Sequence, residues 1–479
     1  MKKIIFILLM GTAFFNHLVN AQSPDEVYKR PLSEVLSDIE KEFGVILNYS
    51  SSIEDEIVEF ANWKITFNMA TTLDNVLKPL GLDYKKVYGE RNRFEIFPYR
   101  YYERSVEEGK EHLESLLVLY GDQGEFENRK LALRTHIQDI VGFDVSAKRD
   151  PVKAIMGKET KMDGYLVQNV AIESIPGYYV TGTLYKPKKG KGPFPVILSP
   201  HGHFYNEDNP SIQMDSGRYR VDMQIRCATL AQMGAMVLSY DMYAWGESIR
   251  QTGSYKFHET GFALRIQTWN SIRALDFMLS LQNANKDKVG VTGASGGGTQ
   301  TFLLGALDDR VTASVPTIMV SSNFYGGCPC ESGLPIHDVS DGHNTNNVEL
   351  AALMSPKPQL VISEGCDWTT SFPDIDYPYL KKVYGFFGKA ENVQNFHLPD
   401  APIHDYSYPK REPMYHFFAE NLGLKLKAVQ DAGGKIDESY CTIQKHDDLL
   451  VFGIADLPKN ALRSHDAIVS KFNSYLSND

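Results

Sequence analysis

Among the 479 residues of this chain, the pattern best suited to chemistry is Gly293-Ala294-Ser295-Gly296-Gly297. It follows the apolar run Val289-Gly290-Val291 and leads into Thr299 to Leu307, a stretch able to form a helix. In a Gly-x-Ser-x-Gly elbow the chain turns so sharply that side chains two residues before and two after the serine would collide. Glycine removes that crowding and leaves the serine hydroxyl exposed in a strained conformation. The bland alternative is a flexible glycine-rich loop. A serine hydroxyl is a weak nucleophile near neutral pH, so it needs a base, and the base needs an orienting carboxylate.

The expected base is His404, in Asp400-Ala401-Pro402-Ile403-His404-Asp405, between the last strand and the last core helix. His397 and His416 fall inside a strand and a helix and are expected to be structural. The expected acid is Asp367, in Glu364-Gly365-Cys366-Asp367-Trp368 after the strand Gln359 to Ser363. Asp376 is its main competitor, and Glu364 reads as nearly part of the strand. Acyl transfer also needs donors aimed at the developing oxyanion. The backbone N–H of Gly296 and that of His203, in Pro200-His201-Gly202-His203-Phe204, are assigned to it. The side chains of His201 and His203 either contact substrate or brace their loop. Glu331, His337 and His343 stand in the long segment Ser321 to Asn346, a pocket wall or lid, where they either meet substrate or have no role.

These residues need a frame. Tyr165 to Ile175 and Tyr178 to Tyr185 read as an antiparallel pair around Pro176-Gly177. Short apolar strands follow at Pro195 to Ser199, Ala235 to Tyr240, Val289 to Thr292, Val315 to Val320, Gln359 to Ser363 and Val393 to Leu398. Helical stretches such as Asp222 to Met233 and Phe262 to Leu281 lie between them. This alternation implies an α/β fold with a mostly parallel eight-stranded sheet covered on both faces. All the candidate residues fall at the carboxyl ends of strands, where sites in such sheets lie.

The length implies more than one domain. Lys2 and Lys3 precede the apolar run Ile4 to Met10, and Val19-Asn20-Ala21 supplies small residues for cleavage, so residues 1–21 read as a signal peptide. The expected product is exported, periplasmic or secreted, with no membrane span. Residues 28–98 form a small α+β unit. Leu32, Val35, Leu36, Ile39 and Phe43 share a helical face stopped by Gly44; Leu73, Val76, Leu77 and Leu80 repeat it before Gly81. Trp63 to Phe67 and Arg93 to Phe97 alternate as strands do. Residues 103–479 form the catalytic unit, with a helical lead-in at 103–150 and a C-terminal extension at 426–479. A strand is expected there at Leu449 to Phe452 and a helix at His465 to Tyr475.

A net charge of -11 without a basic stripe argues against nucleic acid as a partner. Five cysteines permit one or two disulfides, and Cys328-Pro329-Cys330 lacks a second ligand pair at a zinc spacing. No metal and no cofactor is expected.

His201-Gly202-His203-Phe204, Ser239-Tyr240-Asp241-Met242 with Gly246-Glu247-Ser248, Gly293 to Gly297 and Gly365-Cys366-Asp367-Trp368 resemble exported acetyl xylan esterase-like α/β-hydrolases over roughly residues 125–425. The resemblance implies a serine esterase that deacylates plant or algal polysaccharide, so the expected partner is a carbohydrate ester. It departs from the glucuronoyl esterases, which usually carry arginine after the nucleophile, where this chain has Gly296. Leu-x-x-Val-Leu in both N-terminal helices makes residues 28–98 similar to STN-type domains, which dock other proteins; a structural cap is the alternative. The same triad would also serve a peptidase of the prolyl-oligopeptidase kind, but no propeller-like repeat precedes it. A binding protein with an inert hydrolase domain is the remaining alternative.

Overall fold

In the computed structural model, which describes residues 29–80, 82–86, 91–98, 104–203, 217–323, 336–337, 344–453 and 457–476, the chain divides into two units, Met1–Arg100 and Tyr101–Asp479. The expected signal peptide and Gly81 lie outside the described residues. In the first unit, the helix Leu32–Phe43 buries Leu32, Val35, Leu36 and Ile39, and Gly44 ends it at φ 63°, a left-handed conformation natural to glycine. The helix Met69–Leu77 buries Leu73, Val76 and Leu77 against the same core. The strands are β1 (Arg30–Pro31), β2 (Ile46–Asn48), β3 (Ile57–Val58), β4 (Leu82–Lys86) and β5 (Arg93–Pro98). β1 pairs with β3, and β2, β5 and β4 form a second small sheet in that order.

Trp63 to Phe67 does not form the expected strand. Ala61–Lys64 is a helical turn, and the residues after it are drawn into the cap of the next helix. Thr66 N–H donates to Thr72 Oγ1 at 2.8 Å, and the Asn68 side chain accepts from Thr71 N–H at 3.0 Å. Side chains thus claim backbone groups that a ladder would need.

The second unit is built on β6 (Lys153–Lys161), β7 (Tyr165–Ile175), β8 (Tyr178–Pro187), β9 (Phe194–Leu198), β10 (Met236–Tyr240), β11 (Ala284–Ala294), β12 (Ala313–Thr317), β13 (Gln359–Glu364) and β14 (Val393–Leu398). Their spatial order is β14-β13-β12-β11-β9-β10-β8-β7-β6. From β10 to β14 the pairs are parallel, and β6, β7 and β8 add an antiparallel edge. The sheet is the α/β-hydrolase sheet, with nine strands where eight were expected. β6 escaped notice because it is a mostly exposed edge strand whose lysines blunt the edge and whose pattern lacks apolar alternation.

Along the central strands, alternate residues serve opposite cores. Val196 and Leu198 face one, with helix residues such as Ile272, Phe302 and Leu380; Ile197 faces the other, with Leu230, Met414 and Phe418. Burial on both faces explains why these strands read as continuous apolar runs.

Leu449 to Phe452 is not a strand either. His446–Leu449 is a helical turn, and the N–H groups of Val451 and Phe452 donate to the buried Glu247 carboxylate at 2.6 and 3.0 Å. Arg218, also buried, joins this carboxylate to Asp241 and donates to Leu449 O. The motif residues Asp241 and Glu247 therefore anchor the C-terminal extension, whose helix forms at His465–Leu476.

Candidate active site

β11 ends at Ala294, and Ser295 follows at φ 55°, ψ -126°, immediately before the helix Gly296–Leu307. A positive φ on a residue with a Cβ costs on the order of 1–3 kcal/mol and persists where the surroundings impose it. Here they do. A Cβ on Gly293 would lie 2.6 Å from both Gly297 O and Pro200 O, and one on Gly297 would lie 2.5 Å from Pro200 O. The glycines thus let the elbow press against the loop Pro200 to His203. The Gly296 N–H belongs to the first helical turn, whose donors have no intrahelical partner and where the helix dipole favours negative charge.

The imidazole of His203 rests on this elbow. A Cβ on Gly296 would meet His203 Cε1 at 2.6 Å and Nδ1 at 2.9 Å. That packing accounts for the absence of a side chain after Ser295. His203 Nε2 is bonded to His258 Nε2, and His258 Nδ1 lies 2.6 Å from Tyr243 O. Since a carbonyl only accepts, His258 carries its proton on Nδ1 in the neutral state, and His203 is the donor between the two rings. Nothing in the sequence singled out His258.

His201 braces its loop. It is buried, its Nδ1 donates to Gly202 O at 2.9 Å, and its Nε2 accepts from Met242 N–H at 3.1 Å. Burial pushes its pKa down to about 4, so the ring stays neutral and positions the turn. Glu331 and His343 lie outside the described residues. His337 is buried, with Nε2 2.7 Å from Asn347 Oδ1.

At the end of β13 the chain brings two carboxylates to one histidine. His404 Nδ1 is 2.6 Å from Asp367 Oδ2 and 3.2 Å from Glu364 Oε1. Thr369 N–H and Oγ donate to the other Asp367 oxygen at 2.7 and 2.6 Å. Burial alone would raise the Asp367 carboxyl, but the hydrogen bonds from His404 and Thr369 overcome it and hold the group below the usual carboxylate range. Trp368 packs on His404 with ring centroids 4.9 Å apart.

Glu364 is fully buried and bonded to Lys410 Nζ. Lys410 also donates to Asp405 O at 2.7 Å and Ile403 O at 3.3 Å. It therefore ties the loop carrying His404 to the helix Tyr408–Leu422. The donor atoms of Glu364, Asp367 and His404 lie within 4.8 Å of one another. A metal could bridge such a spacing, but here the ammonium of Lys410 already answers Glu364, and Asp367 is answered by His404. Cys366, between the two acids, is exposed with its thiol pushed up to about 11, first by desolvation and then by Glu364. Cys227 and Cys441 are also free thiols, and Cys328 and Cys330 lie outside the described residues.

Asp376, the competing acid, is bonded to Ser322 and not to His404. It is fully buried, with Oδ1 accepting from Ser322 Oγ at 2.6 Å and Ser322 N–H at 3.2 Å. Burial pushes its carboxyl up to about 7. The folded protein therefore holds this proton more tightly than the unfolded chain. The resulting stability is present below the ordinary value of 3.8 and is lost as pH rises toward 7. Asp376→Asn keeps the shape and cannot ionise, so it is expected to raise the unfolding free energy at about pH 8 by on the order of 1 kcal/mol or more, with a higher Tm, and to leave both unchanged near pH 3.5. Calorimetry at both values checks this; an equal shift at both would show that Asp376 does not titrate across that range.

A model of the acetyl xylan esterase family matches residues 144–326. A putative hydrolase of Bacillus subtilis (strain 168), YtaP, is 31% identical over 232 residues, which span 46% of this chain and 75% of that protein. The solved structure of methylesterase BT1017 is 39% identical, covers 95% of this chain and 99% of its own, and superposes with a TM-score of 0.76.

Proposed function

The chain belongs to the acetyl xylan esterase-like α/β-hydrolases, carboxylic ester hydrolases, and from that premise we propose that it is an exported serine esterase that removes small ester groups from carbohydrate. Ser295 attacks the ester carbonyl, His404 Nε2 takes its proton, and Asp367 holds the imidazole at Nδ1 and stabilises its charge. The backbone N–H groups of Gly296 and His203 receive the oxyanion. His404 then protonates the leaving alcohol, and water releases the acyl group by the same steps in reverse. The observation that carries this reading is the 2.6 Å contact between His404 Nδ1 and Asp367 Oδ2, joined to a serine held at positive φ.

The ester favoured is a methyl ester of a sugar carboxylate, since the relative matched along nearly the whole chain is a methylesterase. The acetyl ester expected from the motifs keeps the support of the family model. Incubation with methyl-esterified and with acetylated polysaccharides, followed by quantifying methanol and acetate, separates the two. Release of neither would overturn the proposal. Among the described residues no helix is long and apolar enough to cross a membrane. The N-terminal unit holds no candidate catalytic group, which fits a docking or capping role.

Gly296→Ala tests the packing beside the nucleophile. The added methyl cannot share space with the His203 ring, so the loop that bears the second oxyanion donor must move. Turnover is expected to fall about 100-fold, as for misplacement by about 1 Å, with little change in Tm. Unchanged kinetics would show that the loop does not face the reacting carbonyl.

A further inference from the structure

At the end of the sheet opposite Ser295 lies a groove of about 560 Å³. It is enclosed by the C-terminal end of β8, the N-terminal ends of β9 and β11, and the last turns of two helices. Lys188, Lys189, Lys191, Lys288 and Lys425 line it, and among the described residues no aspartate or glutamate does. The chain carries a net charge of -11, so this concentration of cations opposes the average field of the molecule. Such a patch attracts anions within a Debye length of about 8 Å at physiological ionic strength. Other grooves among the described residues differ. The one beside Asp405 sets Arg220 and Arg411 against Asp222, and the one beside Phe396 contains Glu412 and Glu420.

Two further features favour a sugar over a simple ion. Phe194 lines the groove between Gly190 and Gly192, which have φ of 105° and 70°. Cβ atoms at those positions would lie 3.1 and 3.4 Å from its ring carbons. Glycine thus keeps the groove side of this half-buried ring open to the apolar C–H face of a pyranose. Gln232 also lines the groove, and its Oε1 is buried without a hydrogen-bond partner among the described residues. Turning this side chain into the groove lets a ligand hydroxyl satisfy it.

We propose that this groove binds an acidic oligosaccharide, a run of uronate sugars whose carboxylates meet the lysines while one ring lies on Phe194. The choice of a uronate rests on the methylesterase reading above. Hydrolysis of a sugar methyl ester consumes water and yields methanol, a carboxylate and a proton, so the polysaccharide gains negative charge as it is processed. Exposed ion pairs are individually weak, and the groove gains affinity by engaging several carboxylates of one chain together. The processed stretch is retained on one side of the enzyme while esterified sugars reach Ser295 on the other.

The test uses the full chain carrying Ser295→Ala, with de-esterified polygalacturonate as probe, in affinity gel electrophoresis and calorimetry. Binding is expected at low salt and should weaken as salt rises. Adding Lys189→Ser, Lys191→Ser and Lys425→Ser should weaken it about tenfold, with Tm unchanged. In the enzyme with Ser295 intact, the lysine substitutions should leave hydrolysis of a small activated ester unchanged. Equal binding by the lysine variant would overturn the proposal. So would equal retention of dextran sulfate or of vesicles of anionic lipid, which would show a patch without preference for uronate. If the intact enzyme releases neither methanol nor acetate, the esterase reading fails, and the effect of the lysines on polygalacturonate binding still decides this proposal.

Discussion

Ser295→Ala is expected to lower the turnover of ester substrates by on the order of 10⁶, the loss seen when the nucleophile of a serine hydrolase is removed. The protein should remain folded. The strain at residue 295 comes from its backbone at φ 55°, which alanine shares, and the contacts that enforce the elbow involve Gly293, Gly297 and Pro200. The measurement is steady-state hydrolysis of an activated acetate ester and of a methyl-esterified polysaccharide, with circular dichroism to verify the fold. Any residual rate above about one thousandth of the parent would remove Ser295 from the nucleophile role.

Asp367→Asn should produce the second largest loss, about 10³- to 10⁴-fold in kcat. An amide at this position can donate to Nδ1 and so favour the imidazole tautomer that cannot accept the serine proton. Glu364 tempers the effect. Its Oε1 lies 3.2 Å from the same nitrogen and is close enough to take over the Nδ1–H once Asp367 is replaced, so the loss should fall short of that from Ser295→Ala. Glu364→Gln alone should cost far less, provided the fold tolerates leaving Lys410 without its buried partner. The double variant should fall below Asp367→Asn. If Glu364→Gln costs thousands-fold while Asp367→Asn costs less than tenfold, the orienting acid is Glu364.

The local grammar of this site is legible in the residues themselves. Glycine at 293 and 297 around a serine encodes a backbone turn, because only residues without a Cβ tolerate the approach of Pro200 O at 2.6 and 2.5 Å. Apolar runs of strand length marked the central strands β9 and β10 because a strand covered on both faces is mostly apolar. Helices were legible from single buried faces and stops such as Gly44. The positions of Asp367 and His404 beyond two consecutive strands followed from the same alternation. A strand without that signature was not legible: β6 is exposed at the edge.

Which side chains meet depends on how distant elements pack. Glu364 and Lys410 are 46 residues apart and form a buried ion pair beside His404; His203 and His258 are 55 apart and are hydrogen-bonded beside Gly296. Five lysines from three separate stretches border one groove. Leu449 to Phe452 has the composition of a strand, yet the Glu247 carboxylate takes its backbone donors. The physical reason is common to all four. Periodicity reports the backbone conformation and which face is buried, properties of neighbouring residues. A contact between distant elements depends on strand order and helix placement, which no local pattern carries.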